Sequence, residues 1–315
     1  MKIRFLHYFN NIEMNTSPNI YLIGLGAIGA GYAAMAKDTQ NYDIKIIVDQ
    51  DRKKRYSENG FMINGKKYDF QYLTEPIEKV DLLFIAVKAT QLEEALEQAR
   101  PFVSENTIIL SLLNGVSSER IIFEKLEKGK ILPAFTVKSD GQRKGNIIDF
   151  SLEGRVVFGP SREEDTAVAE KAEQILTAAG VPFENDENIA LRQWWKMTAN
   201  VGGNQIQALL DVNYGAFQNE NVAAIARAAM FETIAVANKK GIPLSEKTPD
   251  EVLALYASFK PHNITSMMQD IKAKRKTEVD IFAGEVCRLG KELGVKTPVN
   301  QMLLHAIKWK EGLFL

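Results

Sequence analysis

The chain has 315 residues, 45% hydrophobic and 25% charged, with a formal net charge of −1. That length exceeds what one hydrophobic core usually supports and predicts two domains, while the near-neutral charge lacks the basic excess of a nucleic-acid binder. No apolar run reaches the roughly 18 residues of a membrane span, and the single cysteine, Cys287, excludes an internal disulfide and fits a reducing, cytoplasmic compartment.

Residues 1–18 read as an extension before the first strand. Phe5-Leu6-His7-Tyr8-Phe9 is too short an apolar patch for a signal peptide, and Met14 offers a second start. Residues 20–23 form a short apolar run ending in Gly24, and 27–37 read as a helix rich in small residues. Residues 44–48, 81–88, 107–113 and 131–137 are further strands, and 91–99 is a helix that stops before Pro101. Strands this continuously apolar are buried on both faces, so the alternation predicts a parallel, doubly wound sheet. Turn signals at Asp140-Gly141, Lys144-Gly145-Asn146 and Glu153-Gly154 predict antiparallel strands that extend it. A helix over 164–179, closed by Gly180, and a strand over 181–184 complete this half. From there the pattern is helical: 188–210, 222–240, 246–256, 264–293 and 299–309. The expected division is an extension over 1–18, an α/β domain over 19–186 and an all-α domain over 187–315.

The first motif with chemistry is Gly24-Leu25-Gly26-Ala27-Ile28-Gly29. It follows a strand and opens a helix, the context in which GxGxxG means a Rossmann dinucleotide site. Gly24 serves the tight turn, Gly26 lets backbone approach a pyrophosphate at the helix N-terminus, and Gly29 permits close helix–strand packing. Asp49 ends the second strand 20 residues after Gly29 (49 − 29). A carboxylate there accepts hydrogen bonds from the adenosine ribose and repels a 2′-phosphate, which favours NAD(H). The basic run Arg52-Lys53-Lys54-Arg55 just downstream keeps NADP(H) open.

In the helical half, Lys196, Asn200 and Asn204 recur at i, i+4 and i+8, which places them on one helix face. Gly202-Gly203 inside the same helix implies close approach of another backbone or a ligand, because each costs about 1 kcal/mol relative to alanine. A second polar cluster runs from Asn263 through Ser266 and Asp270 to Glu278 at roughly helical spacing. Hydride transfer to a keto carbon needs a proton or positive charge at the carbonyl oxygen. His7, His262 and His305 are the only histidines; His262 lies beside the Asn263 cluster, but Lys196, its pKa lowered by burial in a cleft, is the better proton donor. No cluster of ligand residues suggests a metal.

These segments, together with Ala86-Val87-Lys88 and Leu113-Asn114-Gly115, run in order from about residue 19 to 310, and in that combination the chain resembles the ketopantoate reductase family. The resemblance implies a Rossmann domain followed by a helical domain like the C-terminal domain of 6-phosphogluconate dehydrogenase. It implies NAD(P)H-dependent reduction of a C3-branched 2-keto acid, 2-dehydropantoate to pantoate first. By the same resemblance Lys196 is the proton donor, Asn200, Asn204, Asn263 and Ser266 bind substrate, and Ser266 takes its carboxylate. Asn114 lies near nicotinamide ribose and substrate, Lys88 contacts cofactor, and Glu278 lies near both the lysine and the cofactor. Two positions depart from the family pattern. Asp49 stands where many members place an arginine for the NADP phosphate, and Tyr214, next to Asn213, stands where a further substrate asparagine is common. They leave open an NAD-dependent D-2-hydroxyacid dehydrogenase of the D-mandelate or D-2-hydroxyisovalerate type. More remote are a 3-hydroxyacid dehydrogenase and a dinucleotide-sensing protein without turnover. The alanine-rich helix over 222–240 suits a core or a homodimer interface equally.

Overall fold

The computed structural model describes residues 17–139, 141–150 and 153–314, so most of the N-terminal extension, with Met14, lies outside the described residues. Its centre is a six-stranded sheet in which every pairing is parallel. The strands are β1 (Ile20–Ile23), β2 (Lys45–Ile47), β5 (Tyr72–Leu73), β6 (Leu82–Ile85), β7 (Ile108–Ser111) and β8 (Lys130–Leu132), in the order β5-β2-β1-β6-β7-β8. Counting only these strands along the chain, this is the doubly wound Rossmann order, which reverses direction between β1 and β6. β1, β6 and β7 are buried along their whole length. Their side chains alternate between two cores, as strand geometry requires. Ile20, Leu22, Phe84 and Leu110 pack with helices α1 (Ala27–Gln40) and α5 (Thr166–Ala179). Tyr21, Ile23, Leu83 and Ile109 pack with α3 (Leu92–Ala99) and α4 (Ser118–Leu126).

The strand expected over 131–137 is two strands in two sheets. Proline has no N–H to donate to a ladder, and Pro133 divides β8 from β9 (Ala134–Ser139). β9 pairs antiparallel with β12 (Glu153–Phe158), which pairs parallel with β13 (Phe183–Asn185). The strands after residue 139 therefore do not extend the main sheet. β10 (Gln142–Lys144) and β11 (Ile147–Asp149) form a hairpin whose β11 pairs with β3 (Phe61–Ile63), itself in a hairpin with β4 (Lys66–Tyr68). That second hairpin turns through Asn64 and Gly65, both at positive φ. Asn-Gly between apolar runs is a strong hairpin signal. The basic run after Asp49 lies on a helix, α2 (Gln50–Asn59).

The second half is built around α6 (Ile189–Leu210), against which α7 (Glu220–Lys239), α8 (Thr248–Ser258), α9 (Ser266–Lys272) and α11 (Pro298–Glu311) pack. Side chains, not backbone, lie against Gly202 and Gly203. A Cβ on them would come 2.8 Å from Met230 Cγ and 2.7 Å from the Tyr256 hydroxyl. The single helix expected over 264–293 is broken into α9, a short turn at Val279–Ile281, and α10 (Ala283–Leu293). Lys274 adopts positive φ, the Thr277 N–H donates to Glu311 Oε1 at 2.6 Å, and the Ala283 N–H donates to buried Gln205 Oε1 at 2.9 Å. Tertiary hydrogen bonds thus replace the helical ones between residues 273 and 283. Glu278 consequently does not continue the helical face of Ser266 and Asp270. The core of this half contains Trp194, Met197, Met230, Tyr256 and Phe282, separate from both cores of the sheet. None of the helices among the described residues is long and apolar enough to cross a membrane.

At the switch between β1 and β6 the backbones nearly touch. Gly24 has φ +102°, and a Cβ there would lie 2.6 Å from the Ala86 carbonyl. A Cβ on Gly29 would run into the Gly24 carbonyl oxygen and sit 3.1 Å from Ala86 Cβ. Gly29→Ala should therefore force the helix off the sheet and cost about 1–3 kcal/mol, the usual overpacking range. Urea unfolding checks this through a lowered midpoint; an unchanged midpoint contradicts it.

Candidate active site

The loop after β1 is shaped for an anion. Gly26 opens α1 with no side-chain cap and no acidic residue in the first turn, so the first N–H groups of a 14-residue helix are left for a ligand. A Cβ on Gly26 would meet nothing nearer than the Ala86 oxygen at 3.7 Å, so the protein itself does not demand glycine here. Close approach of a pyrophosphate would. Leu25 is buried, and its carbonyl accepts a hydrogen bond from Arg143 of the β10–β11 hairpin. Ala27 and Ile28 form the first turn and pack partly into the core. These features fit a dinucleotide phosphate.

Asp49 is already engaged. It caps α2, its Oδ1 accepting the Arg52 N–H at 2.6 Å, and its Oδ2 pairs with the Arg52 guanidinium at 2.8 Å. A ribose hydroxyl would share this carboxylate with the helix, and a phosphate would find Arg52 beside it. Lys88, after β6, is also paired. Its Nζ lies 3.0 Å from both oxygens of Asp270 on α9, a buried carboxylate that also accepts Arg275 Nε at 2.8 Å. The pair joins the sheet half of the chain to the helical half. In the sequence Asp270 stands out only as one member of a polar run.

Lys196 sits at the junction of the two halves. Its ammonium donates to the Thr136 carbonyl of β9 at 2.9 Å and to Asn114 Oδ1 at 3.2 Å, and lies 5.1 Å from the centre of the Phe135 ring. Asn114, in the loop after β7, in turn donates from Nδ2 to Glu278 Oε2 at 3.2 Å. Glu278 Oε1 faces the Ala89 N–H, next to Lys88, at 3.4 Å. Lys196, Asn114 and Glu278, 164 residues apart at the extremes, thus form one connected chain. Burial lowers the Lys196 pKa to about 8, and the nearby negative charge of Glu278 opposes the fall. A lysine so placed is poised to exchange a proton near neutral pH.

The remaining predicted residues are carried by α6 and the segment before α9. Asn200 is partly exposed on the helix that bears Lys196, and Asn204 is buried one turn further on. Asn263 and Ser266 are exposed, and Ser266 is the first residue of α9. Their segment is fixed from α6, because the Thr265 N–H donates to buried Gln207 Oε1 at 2.8 Å. Thr265 Oγ1 faces the Met268 N–H as the cap of α9. Tyr214 donates its backbone N–H to the Asn263 carbonyl at 3.1 Å, and its ring meets Tyr256 and Phe259. The site residues that sequence reasoning missed are Thr136 and the two glutamines. A backbone carbonyl carries no sequence signal, and Gln205 and Gln207 look like ordinary helix residues.

Residues 20–163 match the signature of the ketopantoate reductase PanE/ApbA family, and residues 188–311 match that of its C-terminal part. The chain belongs to the ketopantoate reductase family. Named relatives in the family include the 2-dehydropantoate 2-reductase of Aquifex aeolicus, 28% identical over 92% of this chain and 96% of the relative. That of Pyrococcus abyssi is 29% identical over 93% and 98%. Among solved structures, D-mandelate dehydrogenase with NADH and anilino(oxo)acetate superposes with a TM-score of 0.84 at 25% identity, covering 94% of this chain and 99% of that one. A PanE/ApbA family ketopantoate reductase from Ralstonia eutropha superposes at 0.81 with 23% identity over 94% and 99%, a likeness of fold.

In this ketopantoate reductase family member the charge on Lys196 rests on a balance between burial and Glu278. Glu278→Gln removes the opposing charge, so the Lys196 titration should move further down, below about 8. NMR titration of the Lys196 side chain in the ligand-free protein reads this directly. A midpoint that stays or rises contradicts the coupling.

Proposed function

We propose that this protein reduces a C3-branched 2-keto acid to the D-2-hydroxy acid with a nicotinamide dinucleotide, and that 2-dehydropantoate is its substrate. The observation that carries the reading is Lys196, hydrogen-bonded to Thr136 and Asn114, with a pKa lowered to about 8. The relatives named 2-dehydropantoate 2-reductase supply the substrate. In this reading residues 19–186 hold the cofactor and 187–315 carry the substrate-binding face.

The loop from Gly24 to Gly29 and the N-terminus of α1 take the pyrophosphate, Asp49 the adenosine ribose, and Lys88, Asn114 and Glu278 the nicotinamide end. A bound reduced nicotinamide supplies the hydride. Ser266 and Asn263 hold the substrate carboxylate by hydrogen bonds without a full positive charge, and Asn200 and Asn204 orient the rest of the keto acid. As the carbonyl carbon is reduced, the oxygen becomes an alkoxide, and the Lys196 ammonium places charge against it and then gives it a proton. Asn114 orients that ammonium from one side and Thr136 from another. Glu278 sustains its charge and holds Asn114 in place.

We propose NAD(H) as the cofactor, because a carboxylate at Asp49 would accept hydrogen bonds from an adenosine ribose and repel a 2′-phosphate. Asp49 also favours a second reading, an NAD-dependent D-2-hydroxyacid dehydrogenase, and the D-mandelate dehydrogenase structures with NADH at a TM-score of 0.84 point the same way. In that reading the aromatic group of Tyr214, Tyr256 and Phe259 lies beside the substrate-binding segment and accounts for an apolar substituent.

Two experiments test the reading. The first is kcat/KM for 2-dehydropantoate, 2-ketoisovalerate and benzoylformate, each with NADH and with NADPH. The proposal expects 2-dehydropantoate with NADH to lead. A lead for benzoylformate selects the second reading, and a lead for NADPH overturns the role given to Asp49. The second is Lys196→Ala, expected to lower turnover roughly 10²–10⁴-fold, the scale of acid–base catalysis. In the wild type, reduction needs the ammonium, so kcat/KM should be level at low pH and fall as pH rises through about 8. Full activity of folded Lys196→Ala would remove Lys196 from the chemistry.

A further inference from the structure

Glu119 lies in the first turn of α4, just beyond the Asn114 loop, and the chemistry above does not use it. Its Oε1 accepts the side-chain amide of Gln193 at 2.8 Å. Its Oε2 accepts the Ser118 hydroxyl at 3.1 Å, and Ser118 in turn accepts from Ser111 at the end of β7 at 2.8 Å. This chain of hydrogen bonds links three elements: β7, α4 and α6. Gln193 is buried and stands one helical turn before Lys196.

We propose that Glu119 is a positioning residue for the proton donor: its carboxylate ties α6 to the start of α4, and so to the Asn114 loop before it, in the arrangement where Lys196 reaches both Thr136 and Asn114. This rests on the reading of Lys196 as proton donor. The location supports a directional role. Burial pushes the Glu119 carboxyl up, so it sits there at a desolvation cost that an apolar residue filling the same space would not incur. What the carboxylate provides and an apolar residue does not is a set of directed hydrogen bonds across the junction of the two halves. A displacement of about 1 Å in a reacting group costs on the order of 10²-fold in rate, so a clamp one turn from the donor controls turnover without touching substrate.

The test is a double-mutant cycle in kcat with Glu119→Ala, Gln193→Ala and the pair, with Lys196→Ala alongside, on the keto acid that wild type reduces fastest. Each single change should lower kcat by about 10²-fold, with the KM values for keto acid and cofactor within about threefold of wild type. The double variant should be no slower than either single one, because both remove the same contact. The swap Glu119→Gln with Gln193→Glu, which restores an amide facing a carboxylate, should recover at least tenfold in kcat over Glu119→Ala. Losses that multiply in the pair, a loss confined to KM, or no recovery in the swap overturn the proposal. Should Glu119→Ala fail to fold, Gln193→Ala and the swap decide it: unchanged kcat in folded Gln193→Ala overturns it. An active Lys196→Ala would instead overturn the proton-donor reading, a result that the Glu119 variants cannot mimic.

Discussion

An ammonium withdrawn from water needs partners on every side it turns away from solvent, and Lys196 obtains them from separate pieces of chain. α6 supplies the lysine, β9 the Thr136 carbonyl, and the loop after β7 the Asn114 amide. No two of these are neighbours in sequence. Satisfying them requires that β9 leave the parallel sheet, and it does so directly after Pro133, pairing with β12 instead. It requires that α6 start against that small sheet, and Ile189 packs there on Phe135 and Val157. It also requires that the chain return after α9 in non-helical form, so that Glu278 can reach Asn114. These three irregularities of the fold serve this one charge.

Much of the frame was legible beforehand because the frame follows local rules. The apolar runs at Ile20–Ile23, Leu82–Ile85 and Ile108–Ser111 are buried on both faces, and such strands announce themselves by composition. Gly24 and Gly29 announce a strand and helix in near contact. What was not legible is set by tertiary hydrogen bonds. Nothing in residues 264–293 forbids a single helix; the break arises because Glu311 and Gln205, distant in sequence, compete for the backbone N–H groups. In the same way Gly202 and Gly203 suggest close approach of another backbone or a ligand, and it is the side chains of Met230 and Tyr256 that lie against them. The partners of Lys196 divide likewise. Asn114 and Glu278 stand in recognisable motifs, whereas a carbonyl such as that of Thr136 can be located only in three dimensions.

The side chains assigned to the cofactor share a property in this structure: each charged one is already satisfied by another part of the protein. Asp49 caps α2 and pairs with Arg52, Glu278 holds Asn114, and Lys88 holds Asp270. A site whose charges are paired internally avoids leaving isolated ions in a cleft. It also means that ligand contacts come by exchange, so the net gain from each is the difference between two pairings.

The Lys88–Asp270 pair gives that exchange a direction. Its two members lie on opposite halves of the chain, and Asp270 keeps Arg275 when Lys88 is withdrawn. A ligand anion that captures Lys88 therefore loosens a tie between the halves while leaving the buried carboxylate neutralised. Reciprocity then applies: whatever free energy the ligand spends in parting the pair, a motion that parts the pair returns to the ligand as affinity. On the proposed assignment of Lys88 to the cofactor, occupancy of that site and the tie between the halves are thermodynamically linked, and Arg275 remains as the counter-charge of Asp270.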